Sequence, residues 1–146
     1  MERALLLLLI NAGSTLYMVG LIWFVQLVHY PLMSRVGLGA YPVYQRAHQS
    51  LTARAMGPAM LIELMAAIAL VIACPRDPFY WLGLVVVVVL WACTALVQMP
   101  LHAGLAEGFE AEAHARLVST NWLRTGLWSF RGLLSLWLIA RGWRSP

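Results

Sequence analysis

The sequence predicts an all-α fold: a four-helix transmembrane bundle with a polar helical segment between spans three and four. The 146-residue chain is 62% hydrophobic and 11% charged, whereas a soluble domain carries about 25% charged residues. Four apolar stretches each reach or exceed the roughly 20 residues that a helix needs to cross about 30 Å of hydrocarbon. No strand alternation stands out, and backbone in lipid must satisfy its own hydrogen bonds, which four helices achieve.

The four predicted spans form a single integral membrane domain over residues 1–146. They are Ala4–Pro31, Ala55–Cys74, Phe79–Leu105 and Leu117–Ala140. The first stretch is too long for a secretory signal peptide, so a retained span is expected. Because the number of spans is even, both termini lie on one side of the membrane, side A. The connectors after spans one and three lie on side B.

The connectors have distinct compositions. Residues Tyr44–Arg54 are expected to be helical and to lead into span two, where Pro58 is expected to kink the helix. Residues Cys74–Pro78 form a dense helix-breaking turn on side A. The segment Ala106–Arg116 is rich in glutamate and is expected to be a polar helix or a helical extension on side B.

Charge and cysteine usage narrow the class of protein. The net charge is +4 and all ten basic residues are arginines. They form no basic run, so nucleic-acid binding is not expected, and those at the span ends are expected to be interfacial anchors: Arg3, Arg35, Arg76, Arg141 and Arg144. The arginines flank both sides of the membrane, so they do not fix the orientation of the chain.

Cys74 and Cys93 differ in predicted depth by roughly 20 Å, too far for a disulfide. Ala69 and Ala73 offer a small-residue contact for a homo-oligomer. The expected location is the bacterial inner membrane.

Polar residues recur at the side B end of all four spans. His29 ends span one, His48 precedes span two, His102 lies near the end of span three, and Asn121 and Arg124 open span four. Four separate segments bring their most polar residues to one level. This coincidence predicts a shared site.

Helical spacing sharpens the prediction of a site. Gln26 shares a face with His29, and Gln98 shares one with His102. A stripe of residues in span four also runs inward at helical spacing. We therefore expect a pocket open to side B, in which a lipophilic molecule is bound by Gln26, Gln98, Asn121, Trp128, His48, Glu63 and Arg131.

The deepest charges are Glu63 and Arg131, near the middle of antiparallel spans. An isolated charge at that depth costs roughly 2.5–3.5 kcal/mol on insertion scales, so the two are expected to pair. The pair either fixes helix register or places Glu63 as a proton acceptor at the base of the pocket. The sequence leaves both roles open.

The histidines allow several interpretations. His29, His48 and His102 could hold a transition metal or haem. Alternatively, neutral imidazoles could exchange protons in a reaction without a cofactor, or the histidines could simply bond backbone and water at the interface. Neither an HExxH nor a CxxCH motif is present. The cofactor therefore stays open between none and a metal or haem bound by histidine.

Two short segments resemble a known family. The segment Gln98–Leu105, QMPLHAGL, and the segment Asn121–Thr125, NWLRT, resemble the anthrone oxygenase-like family of small four-helix membrane proteins. That family shows an Asn-x-Pro-Leu-Asn motif closing span three and Trp-Asn-His-x-Arg-Thr opening span four. Gln98 and His102 stand at the asparagine positions of the first motif.

The rest of the family pattern is only partly kept. Asn121, Arg124 and Thr125 match it directly, whereas Thr120 and Trp122 replace the family's tryptophan and histidine. The resemblance implies oxidation of an anthrone to an anthraquinone by dioxygen. If the missing histidine is the family's base, this chain needs another.

The leading hypothesis is an oxidoreductase acting on a lipophilic aromatic or quinone-like molecule. His102 or His29 would abstract a proton, and Arg124, with Asn121 and Gln98, would hold the resulting oxyanion. The alternatives are a metal- or haem-binding protein and a non-enzymatic carrier or assembly factor.

Overall fold

Four long helices make up the fold of this chain, as the sequence predicts. The structure is a computed structural model that describes residues 2–143, and this part of the chain contains no β-strand. Each helix packs against two others, so that α1 lies between α2 and α4 while α3 closes the bundle on the far side. The all-α bundle is therefore confirmed.

The helices are longer than the predicted spans. Helix α1 covers residues 2–33 and joins Glu2–Phe24, a π-helical turn Val25–His29 and a last turn Tyr30–Met33. Helix α2 is Tyr41–Ala73. Helix α3 covers residues 78–105 and joins Pro78–Cys93, a π-helical turn Thr94–Gln98 and Met99–Leu105. Helix α4 is Ala111–Trp143.

Three of the helices are long and apolar enough to cross a membrane. They are Ala4–Met33, Tyr41–Ala73 and Pro78–Leu105. Helix α4 has 33 residues but a more polar composition, and its crossing stays a prediction from its length and place in the bundle. Large apolar side chains such as Leu96 (76% exposed), Ile72 (74%) and Leu133 (69%) point out of the bundle, which suits contact with lipid.

The connectors differ in detail from the prediction. The helical segment before the second span is continuous with it, as predicted, since α2 starts at Tyr41 and runs through Pro58 without interruption. The polar segment 106–116 divides: Ala106–Glu110 form a turn and loop, and Ala111–Arg116 extend α4. Cys74 and Cys93 are both free, as expected.

The two π-helical turns stand directly before Tyr30-Pro31 and Met99-Pro100. Proline has no backbone N–H and its ring clashes with the carbonyl four residues earlier. In both helices the preceding residue bonds five residues back instead, Tyr30 to Val25 and Met99 to Thr94. Both turns end at the side B polar level, and such bulges are frequent at functional sites.

Candidate functional site

A buried ion pair ties all four helices together near the middle of the bundle. Arg131 Nε donates to Glu63 Oε1 at 2.8 Å, and both side chains are 2% exposed. Thr15 donates to the same oxygen at 2.7 Å, and Trp128 Nε1 donates to Glu63 Oε2 at 3.1 Å. Both carboxylate oxygens are thus bonded. The predicted pair exists, and this geometry favours its structural role over a free proton acceptor.

The arginine of the pair is equally well satisfied. Its Nη1 donates to the Gly83 carbonyl. Its Nη2 contacts Asn11 Oδ1 and Thr15 Oγ1, each at 3.3 Å. Asn11 also donates to the Glu63 backbone carbonyl at 3.1 Å. A buried ion pair is tolerated only when such additional hydrogen bonds complete it.

The predicted stripe on α4 is fully buried. Asn121, Arg124, Trp128 and Arg131 are exposed by 0, 3, 0 and 2%. The Arg124 guanidinium lies 5.1 Å from the Trp128 ring centroid, in reach of a cation–π interaction. Trp128 therefore connects the ion pair to the polar residues nearer side B.

A chain of side-chain amide hydrogen bonds holds Arg124 in place. Its Nη1 donates to Asn121 Oδ1 at 2.9 Å. Asn121 in turn donates to Gln26 Oε1 at 2.8 Å, and Gln26 donates to the Val118 carbonyl at 3.3 Å. The amides of Gln26 and Asn121 are thus occupied by these bonds and hold the Arg124 guanidinium in place.

His29 and His48 form a hydrogen-bonded pair between α1 and α2. His29 Nε2 lies 2.8 Å from His48 Nδ1, and the ring centroids are 4.6 Å apart. The Thr52 hydroxyl is 3.1 Å from the same His48 nitrogen. The outer nitrogens, His29 Nδ1 and His48 Nε2, have no hydrogen-bond partner within residues 2–143.

His102 sits beside this pair and is fixed at both ring nitrogens. The His48 and His102 ring centroids are 5.0 Å apart. His102 Nδ1 lies 2.8 Å from Gln45 Nε2, and Nε2 lies 3.0 Å from the Tyr30 hydroxyl. All three predicted histidines therefore meet at one level, together with Tyr30 and Gln45.

The predicted face-sharing of two pairs is only partly realised. Gln26 bonds α4 whereas His29 bonds α2. Gln98 donates to Thr120 on α4 at 2.9 Å, whereas His102 faces α1 and α2. Gln26 and His29 lie within a π-helical turn and Gln98 ends another. These turns change the angle between residues that an ideal α-helix would align.

Several buried polar atoms at this level lack a hydrogen-bond partner within residues 2–143. They are Tyr41 Oη, Gln45 Oε1, Trp91 Nε1, Gln98 Oε1 and Arg124 Nε. Native proteins leave few such atoms, and each one calls for an explanation such as a bound molecule or water. Arg124 Nε matters most because it belongs to the charged group of the site.

The candidate metal ligands are close in space but hydrogen-bond to their neighbours. Among the described residues no group of three or more histidine, cysteine, aspartate or glutamate side chains is arranged to hold a metal ion. The Nε2 atom of the fourth histidine, His114, lies 2.8 Å from the Tyr30 carbonyl oxygen. A carbonyl oxygen only accepts, so His114 is the donor.

Two cavities lie away from the histidines. A surface groove of about 550 Å³ on side A is lined by Cys74, Arg76, Asp77, Phe79 and Arg141, among others. A cavity of about 10 Å³ lies beside Arg131. At the side B level the polar side chains instead contact one another. The apolar core of the bundle contains four buried methionines, Met18, Met33, Met56 and Met60.

Some residues of this network were not predicted. Asn11 and Thr15 lie one helical turn apart inside an apolar stretch, and polar residues at that depth are expensive enough to indicate a role. Tyr30 and Gln45 carry no such indication, because tyrosine is ordinary at a membrane interface and Gln45 lies in a polar connector.

Comparison with protein-family models, curated proteins and solved structures gives no match for this chain.

Proposed function

We propose that this chain is a bacterial inner-membrane enzyme that deprotonates a lipophilic, anthrone-like aromatic ketone and lets dioxygen oxidise the resulting anion. The His29–His48 pair is the base, and Arg124 holds the oxyanion. The proposal is carried by one observation: a paired imidazole couple, fixed by Thr52, stands at the same level as a buried arginine with an unpartnered Nε.

The histidine pair retains a basic nitrogen in either tautomer. If His29 Nε2 carries the hydrogen that bonds His48 Nδ1, the lone pair at His29 Nδ1 is unused. If His48 Nδ1 carries it, the lone pair at His48 Nε2 is unused. A neutral pair of this kind accepts a proton at one end and releases one at the other. By contrast, both nitrogens of His102 are engaged, so we assign it a positioning role.

Arg124 suits the binding of negative charge in a dry site. It is 3% exposed, and Asn121 holds its Nη1 while Trp128 covers one face. Hydrogen-bond donors fixed in a site without water stabilise developing charge far better than donors in water. The core cluster that contains Tyr30 and Trp128 also contains buried methionines, whose flexible, polarisable side chains adapt to a planar aromatic ligand.

The proposed reaction balances with dioxygen as the oxidant. The ring ketone makes the opposite CH₂ group acidic, and its proton moves to the imidazole pair. The carbanion forms a C–O bond to dioxygen. Loss of the second C–H proton then breaks the O–O bond and leaves a new C=O group. The carbon loses two hydrogens and gains one oxygen, and the other oxygen leaves as water. The resemblance of Gln98–Leu105 and Asn121–Thr125 to the anthrone oxygenase-like family agrees with this chemistry.

Turnover of anthrone by the purified protein tests the proposal. The wild type in lipid nanodiscs is mixed with anthrone in air-saturated buffer, and quinone absorbance and oxygen uptake are followed against a protein-free blank. We expect equal amounts of quinone formed and oxygen consumed, at a rate well above the blank. His48→Gln and Arg124→Lys should each reduce the rate by roughly 100-fold or more.

A matched control separates chemistry from folding. Arg54→Lys changes an exposed arginine on α2 that makes no hydrogen bond or ion pair within residues 2–143, and should keep the wild-type rate. Circular dichroism and gel filtration verify that every variant is folded. Turnover no faster than the blank, or full activity in both site variants, would contradict the proposal. Stoichiometric metal or haem that is lost in His48→Gln would instead assign the imidazoles as ligands.

A further inference from the structure

The Tyr30 hydroxyl occupies the point where the histidine and arginine parts of the site meet. It lies 3.0 Å from His102 Nε2 and within electrostatic and hydrogen-bonding range of the Arg124 guanidinium. The residue is 3% exposed. Its backbone carbonyl is bonded by His114 at 2.8 Å, so the backbone and the ring of Tyr30 are both fixed.

The contacts of Gln45 with His102 determine which ring nitrogen of His102 carries the hydrogen. Gln45 Nε2 lies 2.8 Å from His102 Nδ1 and 3.3 Å from the His102 carbonyl oxygen. Only the amide nitrogen suits both, because an amide oxygen in that place would face another carbonyl oxygen. His102 Nδ1 therefore accepts, the neutral ring carries its hydrogen on Nε2, and His102 donates to the Tyr30 oxygen.

This arrangement directs the hydroxyl hydrogen of Tyr30 away from both neighbours. The oxygen accepts from His102, and the positive charge of Arg124 repels the hydrogen. No other acceptor for this hydrogen exists within residues 2–143. The hydrogen thus remains available to an acceptor that is also within reach of Arg124, and the oxygen of a bound aromatic ketone is such an acceptor.

We propose that Tyr30 is a catalytic residue that donates a hydrogen bond to the ketone oxygen of the substrate, on which negative charge develops when the CH₂ proton leaves. The inference rests on the proposed function and adds the residue that recognises the ketone. Tyr30 and Arg124 would then act as the two donors of an oxyanion hole. His102 and Gln45 are positioning residues, since they act through Tyr30.

The test compares Tyr30→Phe with Tyr44→Phe. Tyr44 is half-buried and its ring lies 6.4 Å from those of His29 and His48. Its hydroxyl makes no hydrogen bond in the part of the chain that the structure describes. Both variants are assayed for anthrone oxidation. They are also examined by infrared difference spectroscopy with bound 9,10-anthraquinone, whose C=O stretching frequency falls when the oxygen accepts a hydrogen bond.

We expect Tyr30→Phe to lower kcat by 10²- to 10³-fold, as for loss of one oxyanion-hole donor, with little change in KM. The C=O frequency of the bound quinone should rise relative to wild type. Tyr44→Phe should keep both values. Circular dichroism and thermal unfolding exclude a folding defect.

The two readouts separate this inference from the function on which it rests. If wild type oxidises anthrone and Tyr30→Phe does so within threefold of it, the role of Tyr30 is overturned and the function stands. If wild type does not oxidise anthrone but shows a lowered C=O frequency that Tyr30→Phe restores, the oxidation fails and the donor role stands. If the wild-type protein leaves the C=O frequency unshifted or does not bind the quinone, the role of Tyr30 is overturned.

Discussion

At the scale of single residues, Gly83 shows how closely the ion pair is packed. A Cβ added at position 83 would lie 3.3 Å from Arg131 Nη1, and that nitrogen also donates to the Gly83 carbonyl. We expect Gly83→Ala to destabilise the protein by roughly 1–3 kcal/mol through overpacking, although alanine favours a helix by about 1 kcal/mol. Denaturation in mild detergent measures the change.

A matched glycine serves as the control. A Cβ at Gly13 in α1 meets nothing within 4 Å, so Gly13→Ala should be neutral or stabilising. Equal stability of the two variants would show that the guanidinium does not need the close approach to α3.

The effects of removing Glu63 and Arg131 on the free energy of unfolding should not be additive. Arg131→Met leaves Glu63 buried and uncompensated, and Glu63→Met does the same to Arg131. Loss of one partner of a buried pair costs roughly 3–5 kcal/mol. The double variant should be about 2–3 kcal/mol more stable than the sum of the single effects predicts. Costs that simply add would indicate that the two charges are not energetically coupled.

At the scale of helices, length and type could be predicted but local winding could not. Hydropathy predicts the first span at Ala4–Pro31 because lipid demands a long apolar helix, and the structure ends this span at Met33. The π-helical turns before Pro31 and Pro100 were not predicted, since proline does not by itself require one: α2 contains Pro58 and has no such turn.

Because local winding could not be predicted, the side chains of the candidate site that share a helix face were predicted correctly only where the helix is regular. The inward stripe from Asn121 to Arg131 was predicted correctly because α4 is a regular helix there. Gln26 and Gln98 were assigned to faces with His29 and His102, but they turn to α4. Tyr30 enters the site for the same reason, because the winding of α1 at this point decides which side chain faces α3.

Helix α2 also holds the side B end of α3. Gln49 donates to the His102 carbonyl at 2.8 Å, and Arg46 donates to the Ala106 carbonyl at 3.2 Å. His102 lies in the last turn of α3 and Ala106 directly follows it, at the helix end where carbonyl oxygens have fewer backbone partners. We expect Gln49→Leu and Arg46→Met each to cost roughly 1 kcal/mol. Amide hydrogen exchange should accelerate over residues 102–108 and stay unchanged elsewhere.

A substitution elsewhere on α2 serves as the control for the hydrogen-exchange experiment. Arg54→Met, further along the same helix, should leave the exchange of residues 102–108 unchanged. Uniform acceleration across the whole chain would instead indicate global destabilisation.

At the scale of the whole molecule, polar groups lie inside and apolar side chains outside. Glu63, Arg124 and Arg131 are at most 3% exposed, whereas Leu6 and Leu27 are each 59% exposed. In water this distribution would leave a large apolar surface unprotected. In a bilayer the outer side chains contact lipid and the charges pair inside.

The packing of α4 along α1 leads to a prediction of topology. The two helices touch near side B through Gln26 and Asn121, in the middle through Asn11 and Arg131, and near side A in a cluster that contains Leu8 and Leu138. Helix α4 therefore passes through the same depth as α1. If α1 crosses the membrane, α4 must cross it as well, although its polar stripe lowers its hydropathy.

Thiol labelling tests this topology. In a Cys74→Ser, Cys93→Ser background, single cysteines are placed at Gly39, Arg76, Gly108 or Gly142 and treated with a membrane-impermeant maleimide in intact cells and in inverted vesicles. Because an odd number of crossings separates each side B connector from the turn 74–78 and from the end of α4, Gly39→Cys and Gly108→Cys should label from one side, and Arg76→Cys and Gly142→Cys from the other. Labelling of Gly142→Cys on the same side as Gly108→Cys would place α4 outside the membrane, and the buried position of Arg131 would then require a different explanation from pairing within lipid.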